Sequence, residues 1–166
     1  MSYVQSFPPI ESATSRVLIL GTMPGKVSLR ERQYYAHPQN TFWRIIGAIV
    51  GFDPASSYQA RVGFVRSAEI AIWDVLKSCI RGSSLDSAID HSSVVPNDFR
   101  GFFVEHPHIQ RVCFNGAKAE ALFSRHVRPR LVSCPEIQYA RLPSTSPAHA
   151  SLPLSKKMQA WQAILL

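Results

Sequence analysis

Short apolar runs rich in β-branched residues alternate along this chain with longer segments whose apolar residues recur every three or four positions. "RVLILG" (16–21) is the first such run, ended by glycine, and predicts a buried strand. "TFWRIIGAIVG" then places Phe42, Ile45, Ile46 and Ile49 at helical spacing, which predicts a helix over 41–50 with Gly51 just past its end. A second helix is expected over about 57–67 and a second strand at "IAIWDV" (70–75). "PNDFRGFFVEHP" (96–107) predicts a helix capped by Asn97 and stopped before Pro107. "RVCFNG" (111–116) reads as a third strand, "AKAEALFSRH" (117–126) as the helix after it, "EIQYARLP" (136–143) as a fourth strand, and "SKKMQAWQAILL" (155–166) as a closing amphipathic helix. No internal repeat or low-complexity tract interrupts the pattern.

Strands alternating with helices imply a mainly parallel sheet covered on both faces, within one domain spanning residues 1–166. Ligands of such sheets sit outside the carboxyl ends of the strands. Three polar segments follow strands here, "GTMPGK" (21–26), "WDVLKS" (73–78) and "LPSTSPAHA" (142–150), and these are the places where chemistry is expected.

Composition narrows the picture modestly. Hydrophobic residues make up 46% and charged residues 17%, which suits a compact core and not a disordered chain. Eighteen Lys and Arg against eleven Asp and Glu leave +7, favouring phosphate-rich or otherwise acidic partners. Cys79, Cys113 and Cys134 are scattered without a CxxC pair, as expected of free thiols in a reducing compartment. The same scatter argues against a cysteine-built zinc or iron–sulfur site. "MSYVQSFPPI" lacks a basic segment followed by an apolar one, and no apolar run approaches the ~20 residues that span a bilayer. A cytoplasmic protein with no membrane partner is the expectation.

"GTMPGK" is glycine-rich yet fails the Walker spacing, because Gly25-Lys26 is followed by Val27 where Ser or Thr is required. It reads either as a strand-end turn alone or as a turn whose amides approach a ligand closely. Together with "YYAHPQNTFW" (34–43), however, "LILGTMPG" (18–25) resembles the first motif region of the uracil-DNA glycosylase superfamily. The nearest pattern is that of mismatch-specific uracil/thymine-DNA glycosylases, in which Gly-x-Asn-Pro-Gly leads to an aromatic-x-His-Pro-x-Asn-x-Phe-Trp segment. "WDVLKSCIRGSSLDSAI" (73–89) and "LPSTSPAHA" resemble more specifically the hypoxanthine-DNA (deoxyinosine) glycosylase branch. The similarity runs from about residue 16 to the end.

The resemblance implies an α/β fold, three-layer α/β/α with a four-stranded mainly parallel central sheet. It implies hydrolysis of the N-glycosidic bond of a deaminated base flipped out of DNA, the first step of base excision repair, without metal or cofactor. Double-stranded DNA is the implied partner, with single-stranded DNA as a further possibility, and the chain is expected to act as a monomer. No lysine occupies a recognisable nucleophile motif, so no Schiff-base lyase step is expected.

Residue by residue, Tyr35 occupies the family position whose flat side chain stacks on the flipped base, the alternative being an aromatic packed on the sheet top. Asp74 matches the position where relatives read the base edge. It could accept a ring N–H while amides near Thr22 and Met23 receive a carbonyl, or it could cap the next segment or pair with Lys77. Trp73 is expected in the core. Many relatives carry a water-positioning Asn or Asp where this chain has Met23, which cannot do that work, and Asn40 is the natural replacement. Asn40 also stands where a helix N-cap belongs, so capping, water handling or both remain open. His37 is expected to buttress its loop. The hydroxyls of Ser144, Thr145 and Ser146 suit phosphate contacts, and the resemblance makes this the loop that grips DNA. His149, where relatives often have Asn, could fill the vacated space, touch a phosphate or face solvent. Lys26, Arg30, Arg32 and Lys118 are candidates for backbone contacts or plain surface charges. "HPH" (106–108) is expected to be a helix-to-strand connection and not a metal site.

Three readings follow: excision chiefly of hypoxanthine, excision chiefly of mismatched uracil, or damaged-DNA binding without catalysis.

Overall fold

The computed structural model describes residues 1–131 and 136–166; Cys134 lies outside them. The chain runs β1 (Ser2–Gln5), β2 (Val17–Gly21), α1 (Lys26–Glu31), α2 (Phe42–Val50), α3 (Tyr58–Ser67), β3 (Ile70–Asp74), β4 (Leu76–Arg81), β5 (Ile89–Pro96), α4 (Phe99–Glu105), β6 (Arg111–Asn115), α5 (Ala117–His126), β7 (Gln138–Leu142) and α6 (Leu154–Trp161). Four strands in the order β3-β2-β6-β7 form an all-parallel sheet, as the alternating pattern requires. Its register aligns Gly21 with Asp74, and Asn115 with Leu142, so the polar ends of the central strands finish side by side.

Alternation along the strands separates two cores. Leu18, Leu20, Trp73, Val112 and Phe114 pack against Phe99, Phe102, Leu122 and Phe123 of α4 and α5. Val17, Ile19, Ile70, Ile72 and Cys113 pack against Phe42, Trp43, Ile45, Ile46, Val65 and Trp161 of α2, α3 and α6. The result is the three-layer α/β/α arrangement expected from the sequence. Trp73 lies in the core, 8% exposed, as expected.

A second sheet, antiparallel in the order β1-β4-β5, has no counterpart in the sequence reading. After β3 the chain turns at once. The Val75 N–H donates to Gly21 O at 2.8 Å and the Leu76 N–H to Thr22 O at 3.2 Å, and the chain then enters a hairpin. β1 and β5 are largely solvent-facing and β4/β5 carries register irregularities, so neither strand shows clean apolar alternation.

Several predicted bounds need correction. α4 is capped by Asp98, whose Oδ1 accepts from Gly101 N at 3.0 Å, and not by Asn97. Asn97 instead donates from Nδ2 to the backbone carbonyl of Asp74 at 2.8 Å, holding the end of β3. α2 starts at Phe42 and ends as predicted at Gly51, whose φ of +96° suits glycine. α6 stops at Trp161 and gives way to a 3₁₀ turn, Gln162–Ile164. The short α1 falls in the polar stretch after β2, where the pattern predicts no helix.

Candidate active site

Outside the carboxyl ends of the parallel strands lies a cavity of about 540 Å³. That is within the ~300–1,000 Å³ typical of small-molecule sites. The three polar segments singled out from sequence all line it: the turn after β2, Asp74 at the end of β3, and the loop Ser144–His149 after β7. Tyr35, His37 and Asn40 close one side and the tip of the β4–β5 hairpin another.

The floor is built on Gly21. A Cβ placed there would fall 2.5 Å from Asp74 Oδ1 and 2.8 Å from the Tyr35 hydroxyl, so only glycine lets both polar groups converge over the strand end. Asp74 is 3% exposed and its Oδ2 is buried without a hydrogen-bond partner. Neither a cap nor an ion pair to Lys77 engages it among the described residues, and Lys77 is exposed. Burial, reinforced by the nearby Asp86 and opposed by Arg81, pushes its carboxyl from the ordinary 3.8 to about 8. At neutral pH Asp74 is therefore mostly a neutral acid carrying both a donor and an acceptor.

Tyr35 sits at φ +54°, a left-handed conformation uncommon for an aromatic residue. The ring stacks on Phe42 with centroids 3.9 Å apart and planes 20° from parallel, which buttresses it from the α2 side. Its hydroxyl is buried and unsatisfied; Asn115 approaches it without a well-formed bond. Burial and then Asp74 raise the phenol well above its ordinary value.

Asn40 precedes the helix start and its Oδ1 accepts from Phe42 N at 3.0 Å. Thr41 holds the cap position without a side-chain cap bond, so Asn40 does satisfy a helix amide. It lines the cavity as well, and its carbonyl oxygen keeps a second lone pair beyond the one Phe42 uses. His37 behaves as expected of a buttress: its Nδ1 accepts from Gln39 N at 3.1 Å.

Asn115, which the sequence reading passed over, fastens the opposite wall. Its Nδ2 donates to Thr145 Oγ1 and its Oδ1 accepts from Thr145 N, both at 3.0 Å. Thr145 O in turn accepts from Thr41 N and Thr41 Oγ1 at 3.1 and 3.3 Å. The 144–149 loop is thus stitched to the start of α2, one residue from Asn40. Thr145 is 1% exposed, so its hydroxyl serves the fold, while Ser144 and Ser146 remain partly open at the rim. His149 lines the cavity, and its carbonyl accepts from the buried Lys157 Nζ at 2.6 Å. Thr22 and Met23 line the cavity while being largely buried.

Arg81 and Asp86 were also missed. Arg81 is 3% exposed, donates from Nη2 to Pro24 O at 2.6 Å, and its charge works against the rise of the Asp74 carboxyl. Asp86 lines the cavity; burial raises its carboxyl, and the Thr22 hydroxyl, Arg81 and Lys118 hold it down. Both come from the hairpin; the family-like segment 73–89 contains them, but its resemblance gave neither a role. Of the candidate cations only Lys26 lines the cavity. Arg30 pairs with Glu31 at 2.9 Å, Arg32 lines a separate cleft beside Tyr34, and Lys118 Nζ stands 3.1 Å from His91 Nε2.

His106 closes α4, with Nδ1 2.8 Å from Phe102 O and Nε2 2.7 Å from Glu11 Oε2, in a tie between helix and N-terminal segment. Among the described residues no group of three or more His, Cys, Asp or Glu could hold a metal ion, and no helix is long and apolar enough to cross a membrane. What the cavity does present is a flat ring, a neutral acid at the floor, an amide at the mouth and a loop with hydroxyls.

A family model described as the uracil DNA glycosylase superfamily matches residues 8–165. Two curated relatives, the hypoxanthine DNA glycosylases of Methanosarcina barkeri and Methanosarcina acetivorans, are 40% and 35% identical over 116 residues. Those alignments cover 69% of this chain and 72% of each relative. A solution NMR structure from Methanosarcina acetivorans, provisionally assigned as a uracil DNA glycosylase, superposes with a TM-score of 0.79 at 29% identity, covering 98% of this chain and 99% of that one.

Proposed function

The chain belongs to the uracil DNA glycosylase superfamily, and from that premise we propose that it hydrolyses the N-glycosidic bond of hypoxanthine flipped out of DNA. The observation that supports recognition of a deaminated base is Asp74, a buried acid with an unpartnered oxygen at the floor of the cavity, and the two relatives favour hypoxanthine among such bases. Hypoxanthine presents a ring N–H beside a carbonyl. A neutral carboxyl is its complement, its C=O accepting the N–H while its O–H donates to the carbonyl. Amides near Met23 and the Thr22 hydroxyl supply further polar contacts. Tyr35, braced by Phe42, offers the stacking face.

The bond between C1′ and the base nitrogen breaks as the water oxygen bonds to C1′; the electron pair leaves with the base, which then takes up a proton. Asn40, its oxygen shared with Phe42 N, orients that water and stabilises the developing positive charge on the sugar. An amide is a poor base, so position and electrostatics dominate. Ser144, Ser146 and His149 contact the DNA backbone, and Asn115 holds their loop. The protein acts as a cytoplasmic monomer on duplex DNA, with single-stranded DNA as a second substrate form.

Duplexes carrying hypoxanthine, uracil, xanthine or mismatched thymine, treated with alkali after incubation, test the reading. Hypoxanthine is the base expected to be released fastest. A strong preference for uracil, which shares the N–H and carbonyl edge, would overturn the choice of base, and release of none would overturn catalysis. Strand breaks are expected only after alkali, and borohydride is expected to trap no covalent adduct through Lys26 or any other lysine.

A further inference from the structure

Hypoxanthine and uracil offer Asp74 the same N–H and carbonyl edge, so the floor of the cavity by itself does not tell a purine from a pyrimidine. What separates the two bases is the second ring, whose nitrogen N7 is an acceptor beside the carbonyl. We propose that Asp86, on the hairpin wall of the cavity, donates a proton to N7 of hypoxanthine, which both selects a purine and helps it leave; this rests on the glycosylase reading above.

The other titratable side chains that line the cavity are placed for different tasks. Tyr34 donates its hydroxyl to Pro8 O at 2.9 Å, Tyr35 offers the stacking face, and Lys26, His37 and His149 stand exposed at the rim. Asp86 is half-buried in the lining and close enough to Asp74 to reinforce the rise of its carboxyl. Two ties fix the hairpin tip against the turn after β2: Ser84 Oγ accepts from Lys26 N at 2.9 Å, and Arg81 Nη2 donates to Pro24 O at 2.6 Å. The Asp86 carbonyl accepts from Ile89 N, which closes the tip on itself. The Thr22 hydroxyl is within hydrogen-bond reach of the Asp86 carboxyl, whose second oxygen remains for a base. The charged groups that face Asp86 are Arg81 from β4, Lys118 from α5 and Asp74 from β3. Seating DNA brings phosphates to the cavity mouth and a base into the cavity, and both favour the protonated carboxyl.

As the bond between C1′ and N9 breaks, its electron pair passes into the purine ring. The O–H bond of Asp86 breaks and an N7–H bond forms, so hypoxanthine leaves as a neutral molecule. The water oxygen bonds to C1′, and the proton it sheds restores the Asp86 carboxyl through solvent. Uracil has no N7, and its release draws nothing from Asp86.

Single-turnover assays compare the wild type, Asp86→Asn and Asp86→Ala on hypoxanthine and on uracil at the same position of one duplex. An amide at position 86 donates a hydrogen bond but transfers no proton. Asp86→Asn is expected to slow release of hypoxanthine about a hundredfold and to leave uracil near its wild-type rate; Asp86→Ala slows hypoxanthine at least as much. In parallel, fluorescence anisotropy measures binding to duplexes carrying 2′-fluorinated, hydrolysis-resistant hypoxanthine or 7-deazahypoxanthine, which has carbon in place of N7. The wild type and Asp86→Asn are expected to favour the duplex with N7 about tenfold, and Asp86→Ala to bind both alike. Wild-type rates on hypoxanthine for Asp86→Asn, equal slowing of both bases, or a wild type indifferent to N7 would overturn the assignment. A wild type inactive on uracil leaves the decision to the hypoxanthine rates and the binding pair. If the wild type releases neither base, the glycosylase reading falls by itself, and the anisotropy comparison still decides whether Asp86 contacts N7.

Discussion

Asn115 grips Thr145 by both ends of its amide, donating to the hydroxyl and accepting from the backbone N–H at 3.0 Å each. Thr145 then passes the connection through its carbonyl to Thr41, so one strand end holds both the 144–149 loop and the approach to α2. Removing the amide leaves buried groups of Thr145 unpaired. Asn115→Ala is expected to cost about 1–3 kcal/mol in chemical denaturation. It should also weaken binding to hypoxanthine-containing duplex, measured by fluorescence anisotropy, more than it weakens binding through general charge.

Asn40 tests separately for its two tasks. Ser accepts from a helix amide about as well as Asn, so Asn40→Ser should keep its stability to within about 0.5 kcal/mol. Excision of hypoxanthine should nevertheless fall by about a hundredfold in single-turnover assays. A variant that folds and cuts like the wild type would reduce Asn40 to its bond with Phe42.

Asp74 predicts a pH signature. Its carboxyl titrates near 8, far above the ordinary 3.8, so the O–H that donates to the base is present below that pH and lost above it. The rate of base release should decline on the alkaline side with an apparent pKa near 8. Linkage gives a matching sign for stability. The folded state retains the proton between pH 3.8 and about 8 while the unfolded chain does not, so this residue's contribution falls as pH rises through that window. Asp74→Asn should therefore raise the midpoint of thermal unfolding at pH 7, by an amount that vanishes near pH 4, while impairing excision. Equal unfolding midpoints at both pH values would contradict a buried neutral acid.

Tyr35 separates ring from hydroxyl. Its hydroxyl is buried without a satisfied hydrogen bond, so Tyr35→Phe should be neutral or mildly stabilising in thermal melts. Tyr35→Ala removes the stacking face and should weaken the complex with the flipped base by about 1–3 kcal/mol, seen as a higher KM on hypoxanthine duplex.

Gly21 guards the convergence of these two groups. Gly21→Ala would set a methyl 2.5 Å from Asp74 Oδ1 and 2.8 Å from the Tyr35 hydroxyl. Since the clash is with the ends of side chains, the protein should still fold, as judged by circular dichroism, with base release strongly reduced.

The order of parallel strands and helices, the two apolar cores and the polar strand ends could all be read from the sequence. Burial on both faces writes continuous apolar runs, and helices packed on one side write a 3.6-residue period; each is a local signal. Tyr35, Asn40, Asp74 and the 144–149 loop were singled out by the resemblance of their motifs to the glycosylase family, and the structure brings them to one cavity. The antiparallel hairpin was not legible, since solvent-facing strands with irregular register erase the alternation that would mark them. With it went Leu85 and Asp86, which line the cavity, and Arg81, which holds the Pro24 carbonyl, all brought there by the hairpin that follows β3. Nor could the chain order say that Asn115 would hold Thr145, thirty residues away, or that Asp74 would lose its solvent and keep its proton. Pairing and desolvation of that kind depend on distances in space, and those exist only once the sheet has brought its strand ends together.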